Sequence, residues 1–150
     1  MKAVSPQSQG GKARAKALGP RKRTDIARKA AAARWSKRPR SGTVPLADIR
    51  RLAVEIARSA SHPTSVTLFG SYARGTAGPS SDIDLIVVED GLRDWATESV
   101  RLRRLVRRTP PLLRAPVDLV VMSRADYRKW RGHFGTVQHE VEREGVPLVE

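Results

Sequence analysis

A regular pattern of apolar and polar positions begins in this chain only after Pro45. From Leu46 to Ala57, apolar side chains recur every three or four residues, while arginines occupy the opposite positions. This spacing is typical of an amphipathic helix that buries one of its faces. The preceding residues show almost no such pattern, so the folded part of the chain is predicted to begin near residue 45.

Three apolar runs downstream of this helix predict β-strands. They cover residues 65–69, 82–88 and 116–122 and contain Val, Ile and Leu in close succession. The second run is apolar almost without interruption, which favours a strand that is covered on at least part of both faces. A fourth run, residues 146–149, predicts a short strand at a sheet edge.

Helical spacing separates these strands. Residues 92–108 predict a helix whose inner stripe includes Trp95 and Leu102. Ser123 is placed to cap the start of a later helix, and Gly145 is placed to end the last one. The elements follow the order helix, strand, helix, strand, helix, strand, helix, helix, strand. This order predicts an α/β fold of the α+β kind, in which helices back a small mixed sheet.

The net charge of +14 is concentrated at the start of the chain. Residues 1–45 contain 13 basic residues and a single acid, whereas residues 46–150 contain 16 basic residues and 14 acids. A segment with so much charge and so little to bury cannot offset its ordering entropy. Residues 1–44 are therefore predicted to form a basic, largely disordered tail with one short alanine-rich helix, and residues 45–150 a single domain. Such a tail attracts phosphate groups non-specifically, which makes nucleic acid a candidate partner.

The composition excludes several classes of protein. The chain has no cysteine, so it forms no disulfide, no thiolate zinc site and no cysteine nucleophile. No apolar run approaches the roughly 20 residues of a membrane helix, and the N-terminus lacks the apolar stretch of a secretory signal. Contact with a membrane is therefore not predicted, and the cytoplasm is the expected compartment. The arginine-rich, acid-poor start leaves an organellar transit peptide as an alternative.

A glycine and a serine stand where the first strand is predicted to turn into a short helix. Helix N-termini present unpaired N–H groups and a partial positive charge, which suits phosphate oxygens. Gly70 lets the backbone approach an anion closely, and the Ser71 hydroxyl adds a donor. Arg74, one helical turn on, is placed to reach the same phosphates. A structural ion pair explains this arginine equally well.

Acidic residues interrupt the second and third predicted strands. Asp82 and Asp84 are two residues apart, so both side chains lie on one face of a strand. Adjacent carboxylates repel each other, and ligation by oxygen atoms alone favours Mg²⁺ between them. Asp118 stands inside the apolar third strand, where an unpaired carboxylate is costly to bury. If the two strands are neighbours, the three acids form one cluster suited to a displacement assisted by two metal ions. The simpler explanations are an exposed strand edge for the first two acids and an ion-paired buried acid for Asp118.

The spacing of these residues resembles a known signature. A Gly-Ser pair beginning at Gly70, ten further residues and then Asp-x-Asp from Asp82 is similar to the motif of the DNA polymerase β-like nucleotidyltransferase superfamily. Residues 69–85 as a whole, together with Asp118 in a Val-Asp-Leu-Val strand, resemble the minimal nucleotidyltransferases of that superfamily. The resemblance covers roughly residues 46–150 and implies the palm-like fold of these enzymes.

The resemblance also implies a role for each matched residue. Gly70 and Ser71 would bind the β- and γ-phosphates of ATP. Asp82 and Asp84 would bind Mg²⁺, and Asp118 would complete a site for two ions. Many short members of the family are antitoxins that silence a small helical HEPN-type toxin by transferring AMP to one of its tyrosines. The resemblance therefore implies a HEPN-type toxin as partner and acceptor. The short core favours this interpretation, since a partner protein could bring its own acceptor.

Two other functions fit the same sequence. A small-molecule nucleotidyltransferase, for example one acting on an aminoglycoside, would use the same acids, whereas a protein that binds nucleic acid or a toxin through its basic tail would not need them. Glu89, at the end of the second strand, is expected to be solvated. Arginines on the outer side of the 92–108 helix indicate either a solvated face or a surface for an acidic partner. They are Arg101, Arg103, Arg104, Arg107 and Arg108.

Overall fold

A computed structural model describes residues 43–108 and 115–150 of the chain. The helices are α1 (Leu46–Ser59), α2 (Gly70–Arg74), α3 (Trp95–Arg108), α4 (Arg124–Trp130) and α5 (Val137–Glu144). The strands are β1 (Thr64–Phe69), β2 (Ile83–Glu89), β3 (Val117–Ser123) and β4 (Val146–Val149). Their order along the chain is the predicted one. Every helix in these residues is too short or too polar to cross a lipid bilayer. The predicted basic tail and its short helix lie almost wholly outside the described residues.

The strands of the described residues form one mixed sheet in the order β3-β2-β1-β4. β1 is antiparallel to both of its neighbours, whereas β2 and β3 are parallel. Two parallel neighbours need a crossover connection, and α3 lies between them in the chain. The predicted mixed sheet is thus confirmed, and the condition that the second and third strands are neighbours is met. β3 forms one edge of this sheet.

Helices cover both faces of the sheet. On one face, α1 buries the apolar stripe predicted for it, and α3 packs beside it over a first core. On the other face, a smaller second core joins Ile86 and Val88 of β2 to Val141 of α5. Leu85 and Val87 of the same strand belong to the first core. Alternate residues of β2 therefore enter two cores, which explains its unbroken apolar run and confirms that the strand is covered on both faces.

The prediction that Trp95 belongs to the inner stripe of its helix is wrong. Its side chain is 61% exposed. α3 begins only at Trp95, and the inward positions of its first turns are those of Glu98 and Ser99, both of which are buried. The stripe then continues through Leu102 as predicted. A search for apolar periodicity misses Glu98 because charged side chains are rarely buried unless they are paired.

The prediction that Glu89 is solvated is also wrong, because β2 continues through this residue and encloses it completely. Its Oε2 atom lies 3.3 Å from Nδ1 of His62. Burial and the neighbouring Glu98 raise the pKa of the Glu89 carboxyl. Hydrogen bonds from Arg101 and then from Ser61 instead lower the pKa of Glu98 to about 2. Among the two buried glutamates, the ionised form is thus favoured at Glu98 and disfavoured at Glu89.

Neutralising these two glutamates is expected to change stability in opposite directions. Glu98→Gln removes the anion to which Arg101 and Ser61 donate, and should lower the free energy of unfolding by about 2 kcal/mol at pH 7. Glu89→Gln removes a charge that is costly to bury, and should raise that free energy by up to about 1 kcal/mol. Urea titrations of both variants and the wild type measure the two changes. A loss of stability in both variants would contradict the assignment.

The difference between wild type and Glu98→Gln should depend on pH. The folded-state pKa of Glu98 is depressed from 4.5 to about 2, so its contribution to stability is complete above pH 4.5 and is lost as the pH falls toward 2. The wild type and the variant should therefore converge in stability on acidification.

Candidate active site

The turn between β1 and α2 is built around Gly70. Its φ is +68°, a left-handed conformation that residues with a Cβ atom rarely adopt. A Cβ atom placed there would lie 2.2 Å from Oδ2 of Asp84. The Asp84 carboxylate therefore rests against the backbone of the turn, where only glycine fits. The turn and the strand that carries the Asp-x-Asp pair meet at this contact.

The short helix that follows is anchored to the core. α2 is closed by Gly75, whose φ is +71°. The Thr76 N–H donates to the carbonyl oxygen of Ser71 at 3.0 Å. Tyr72 is buried, and its hydroxyl oxygen accepts a hydrogen bond of 3.2 Å from the Val44 N–H. Ser71 is half-buried at the start of this anchored turn, and its phosphate-binding role stays a prediction.

Strand register brings the predicted acids to one face of the sheet. Asp84 of β2 is paired with Asp118 of β3 in the parallel ladder. Neighbouring strands lie about 4.8 Å apart, so these two side chains are neighbours on the same face. Asp82 precedes β2 by one residue and is exposed. The adjacency of the two strands that an acidic cluster requires is therefore present.

Negative charge accumulates around Asp84. Burial, and then repulsion from Asp118 and Asp82, raises the pKa of its carboxyl. Glu140 adds to this repulsion, and Arg74 opposes it. The ionised form of Asp84 is thus disfavoured, and an additional cation nearby would stabilise it.

These carboxylates fit the ligand preferences of magnesium. In residues 43–108 and 115–150, no three His, Cys, Asp or Glu side chains are close enough to enclose a metal ion. Mg²⁺ does not require such an enclosure, because it is commonly held by one or two carboxylates, with water and substrate phosphates completing its coordination. The repulsion that Asp118 and Asp82 exert on Asp84 shows carboxylates within electrostatic range of one another, which suits this mode of binding.

Arg74 forms an ion pair between two helices. Its Nη1 atom lies 2.7 Å from Oε1 of Glu140 and 2.6 Å from Oε1 of Glu144, both on α5. Hydrogen bonds to Glu144 and then to Glu140 raise the pKa of Arg74. The structural ion pair that the sequence allows for Arg74 is thus present and ties α2 to α5. Phosphate binding by the same side chain, which is 40% exposed, stays a prediction.

Comparison with known proteins decides the family. Residues 49–129, more than half of the chain, match the nucleotidyltransferase domain. The chain belongs to this nucleotidyltransferase family. The matched stretch of the nucleotidyltransferase contains all six residues that the sequence predicts for the site.

Two solved structures are similar to part of this nucleotidyltransferase. One is a provisionally assigned nucleotidyltransferase from Sulfolobus solfataricus, 19% identical, with a TM-score of 0.45 and coverage of 79% of this chain and 85% of that chain. The other is a toxin–antitoxin with AMP-PNP, 26% identical, with a TM-score of 0.46 and coverage of 66% of this chain and 71% of that chain. No curated protein matches the chain.

Glu140 is a neighbour of the candidate site that the sequence did not reveal. It lies 66 residues from Arg74 in the chain, and its charge reaches Asp84. The only local signal is that Glu140 and Glu144 are one helical turn apart and therefore share a face of α5. The spacing of the two glutamates does not indicate that this face packs against α2.

Proposed function

We propose that this nucleotidyltransferase moves AMP from ATP to the hydroxyl group of a protein acceptor, with Mg²⁺ as cofactor. The observation that carries the proposal is the contact between the Gly70 turn and Asp84, on a strand whose other neighbour contributes Asp118. A turn suited to phosphate, a carboxylate suited to a metal and a further acid then follow one another across three adjacent strands. Nucleotidyl transfer needs this order, because the leaving phosphates, the reacting phosphate and the attacking hydroxyl lie in line.

In the proposed reaction, the acceptor oxygen forms a bond to the α-phosphorus of ATP. The bond from that phosphorus to the oxygen bridging it to the β-phosphate breaks, and pyrophosphate leaves. Backbone N–H groups at Gly70 and Ser71, with the Ser71 hydroxyl, hold the β- and γ-phosphates. Asp82 and Asp84 hold Mg²⁺, and Asp118 completes the site and accepts the proton of the attacking hydroxyl. Bound Mg²⁺, for which two ions are expected, supplies positive charge that stabilises the transferring phosphate.

The acceptor is proposed to be a tyrosine of a small helical HEPN-type toxin, so that the transfer acts as an antitoxin reaction. The support for this finer assignment is the resemblance of residues 69–85 and Asp118 to the minimal nucleotidyltransferases. The need for ATP favours the cytoplasm as the place of the reaction. The basic residues 1–44 are proposed to add a non-specific attraction to nucleic acid.

Transfer of label from ATP tests the proposed reaction. The full-length protein is incubated with Mg²⁺, the protein encoded by the adjacent reading frame and ATP labelled at its α-phosphate. We expect a labelled partner, and a decrease of at least about 1000-fold in the Asp82→Ala/Asp84→Ala double variant. ATP labelled at the γ-phosphate is the control, because AMP transfer releases that label with pyrophosphate.

Each other outcome of the labelling experiment has a distinct meaning. Equal labelling by the double variant would refute the assigned chemistry. Label that appears on a small molecule such as an aminoglycoside would mean that the acceptor is this molecule and not a protein. Label that arrives only from the γ-phosphate would show phosphoryl transfer in place of nucleotidyl transfer.

A further inference from the structure

A groove of about 310 Å³ runs along the outer edge of β3 and reaches Asp118. Val117 and Leu119 of β3 point toward α3, whereas Asp118 points toward the opposite face of the sheet. The groove therefore lies between α3 and the edge strand, and Asp118 is the residue that it shares with the face that carries the acids. Its lining residues are Arg103, Val106, Arg107, Val117, Asp118 and Leu119.

Two arginines give this groove its charge. Arg103 and Arg107 are four residues apart on α3, so they project from the same side of the helix. Nη2 of Arg103 donates to the carbonyl oxygen of Leu119 at 3.0 Å, which holds the guanidinium against the outer edge of β3. Arg107 is exposed one turn further along. The six lining residues thus include two arginines and one aspartate, which leaves the groove with a net positive charge.

Building on the proposed function, we propose that this groove binds the acceptor and that the acceptor presents an acidic polypeptide segment beside its reacting hydroxyl. In the proposed reaction the triphosphate extends from β2 toward the Gly70 turn at the end of β1. The attacking hydroxyl must then arrive from the opposite side, where β3 carries Asp118. The groove is the surface that an acceptor meets on this approach.

The lining of the groove selects a polypeptide over a nucleic acid. Guanidinium groups pair with glutamate and aspartate carboxylates, often through two parallel hydrogen bonds. Val106 and Val117, which are half-buried, offer apolar contacts to the stems of the same side chains. Sites for single-stranded nucleic acid depend on aromatic side chains on which bases stack, and none of the six lining residues is aromatic.

Binding of short fluorescein-labelled peptides to the full-length protein tests the groove without requiring catalysis. One peptide carries a tyrosine flanked by glutamates, and its twin carries lysines in their place. We expect Arg103→Gln/Arg107→Gln to weaken binding of the acidic peptide about tenfold, as measured by fluorescence anisotropy. The matched control is Arg50→Gln/Arg58→Gln, which removes the same charge from the exposed face of α1. Since the basic tail is present in both, any difference between them reports the groove.

Folding of the variants is controlled separately. Arg107→Gln alone leaves the hydrogen bond between Arg103 and Leu119 in place. It should still weaken binding of the acidic peptide about threefold. Equal binding by the two double variants would overturn the proposal, as would preference for the lysine peptide. A single-stranded RNA oligonucleotide is tested in parallel. If the groove variant loses affinity for this RNA and keeps it for the acidic peptide, the occupant is a nucleic acid and the proposal is wrong.

Calorimetry separates failure of the groove assignment from failure of the proposed reaction. Mg²⁺ with a non-hydrolysable ATP analogue is titrated into the wild type, the groove variant and Asp82→Ala/Asp84→Ala. We expect the groove variant to take up nucleotide like the wild type, and the aspartate variant to take up none. Absence of uptake by the wild type would refute the proposed reaction. If the wild type takes up nucleotide normally and peptide binding does not depend on Arg103 and Arg107, only the proposed role of the groove is refuted.

Discussion

Replacing Asp84 with asparagine is expected to abolish nucleotidyl transfer and, at the same time, to stabilise the fold. The amide is a weaker, uncharged ligand for Mg²⁺, so the transfer rate should fall by about 1000-fold or more. Stability should rise because burial and the charges of Asp118 and Asp82 raise the pKa of Asp84. At pH 7 the ionised carboxylate is therefore less favourable in the folded state than in the unfolded one. Its removal should raise the free energy of unfolding by about 1 kcal/mol.

The pH dependence of this gain has a definite sign. An acid whose folded-state pKa is raised destabilises the fold at neutral pH and ceases to do so once it is protonated in both states. The advantage of Asp84→Asn should therefore vanish as the pH falls below the ordinary value of 3.8. Urea titrations at pH 7 and near pH 3 measure the change, alongside label transfer at pH 7.

Glu55→Gln is the matched control for this experiment, because it neutralises an exposed carboxylate on α1, away from the acids. It should leave both transfer and stability near the wild-type values. Mg²⁺ with ATP should raise the melting temperature of the wild type and of this control, and should have little effect on Asp84→Asn. An Asp84→Asn protein that is less stable than the wild type would mean that the carboxylate is already satisfied by protein groups.

Gly70→Ala is expected to distort the turn and to separate it from Asp84. The added methyl group would start 2.2 Å from Oδ2 of Asp84, and the backbone φ of +68° is unfavourable for alanine. Relief of the overlap requires a shift of the aspartate or of the turn. We expect a loss of about 2–3 kcal/mol in the free energy of unfolding and a decrease of about 100-fold or more in transfer.

Gly78→Ala provides the control for the added methyl group. No atom lies within 4 Å of the position where its Cβ would be, so stability should change by less than about 0.5 kcal/mol. Thermal melts, together with kcat and KM for ATP, separate the two variants. If Gly70→Ala melts and transfers like Gly78→Ala, Asp84 does not rest against the turn as described.

The elements of the fold follow from local patterns, and the sequence therefore predicts them well. The period of apolar residues is sufficient for α1 and for the strands. Ser123 caps the start of α4 and Gly145 ends α5, as expected. The relation of Asp84 to Asp118 could be predicted only under the condition that their strands are neighbours. That condition depends on the crossover through α3, which the alternation of elements favours but does not fix.

The remaining features depend on contacts between distant segments. Glu98 occupies an inward position of α3 because Ser61, 37 residues away, and Arg101 satisfy its carboxylate. Glu140 comes near the acids because α5 packs against α2. Neither arrangement has a local signature, since a charged residue in a helical pattern is ordinarily assigned to solvent. The sequence pattern thus predicts the helices, the strands and the acidic motif. The charged residues that surround the motif are brought there by tertiary packing, which the pattern does not show.

The pairing of β4 with β1 has a consequence for the synthesis of the protein. Val66 and Leu68 of β1 are paired with Val149 and Val146 of β4. A strand that ends in the Gly70 turn thus obtains its second neighbour only after translation has passed residue 149. Contacts of such long sequence separation form late in folding. We expect the nascent chain to lack nucleotide affinity until β4 has been synthesised and has paired with β1.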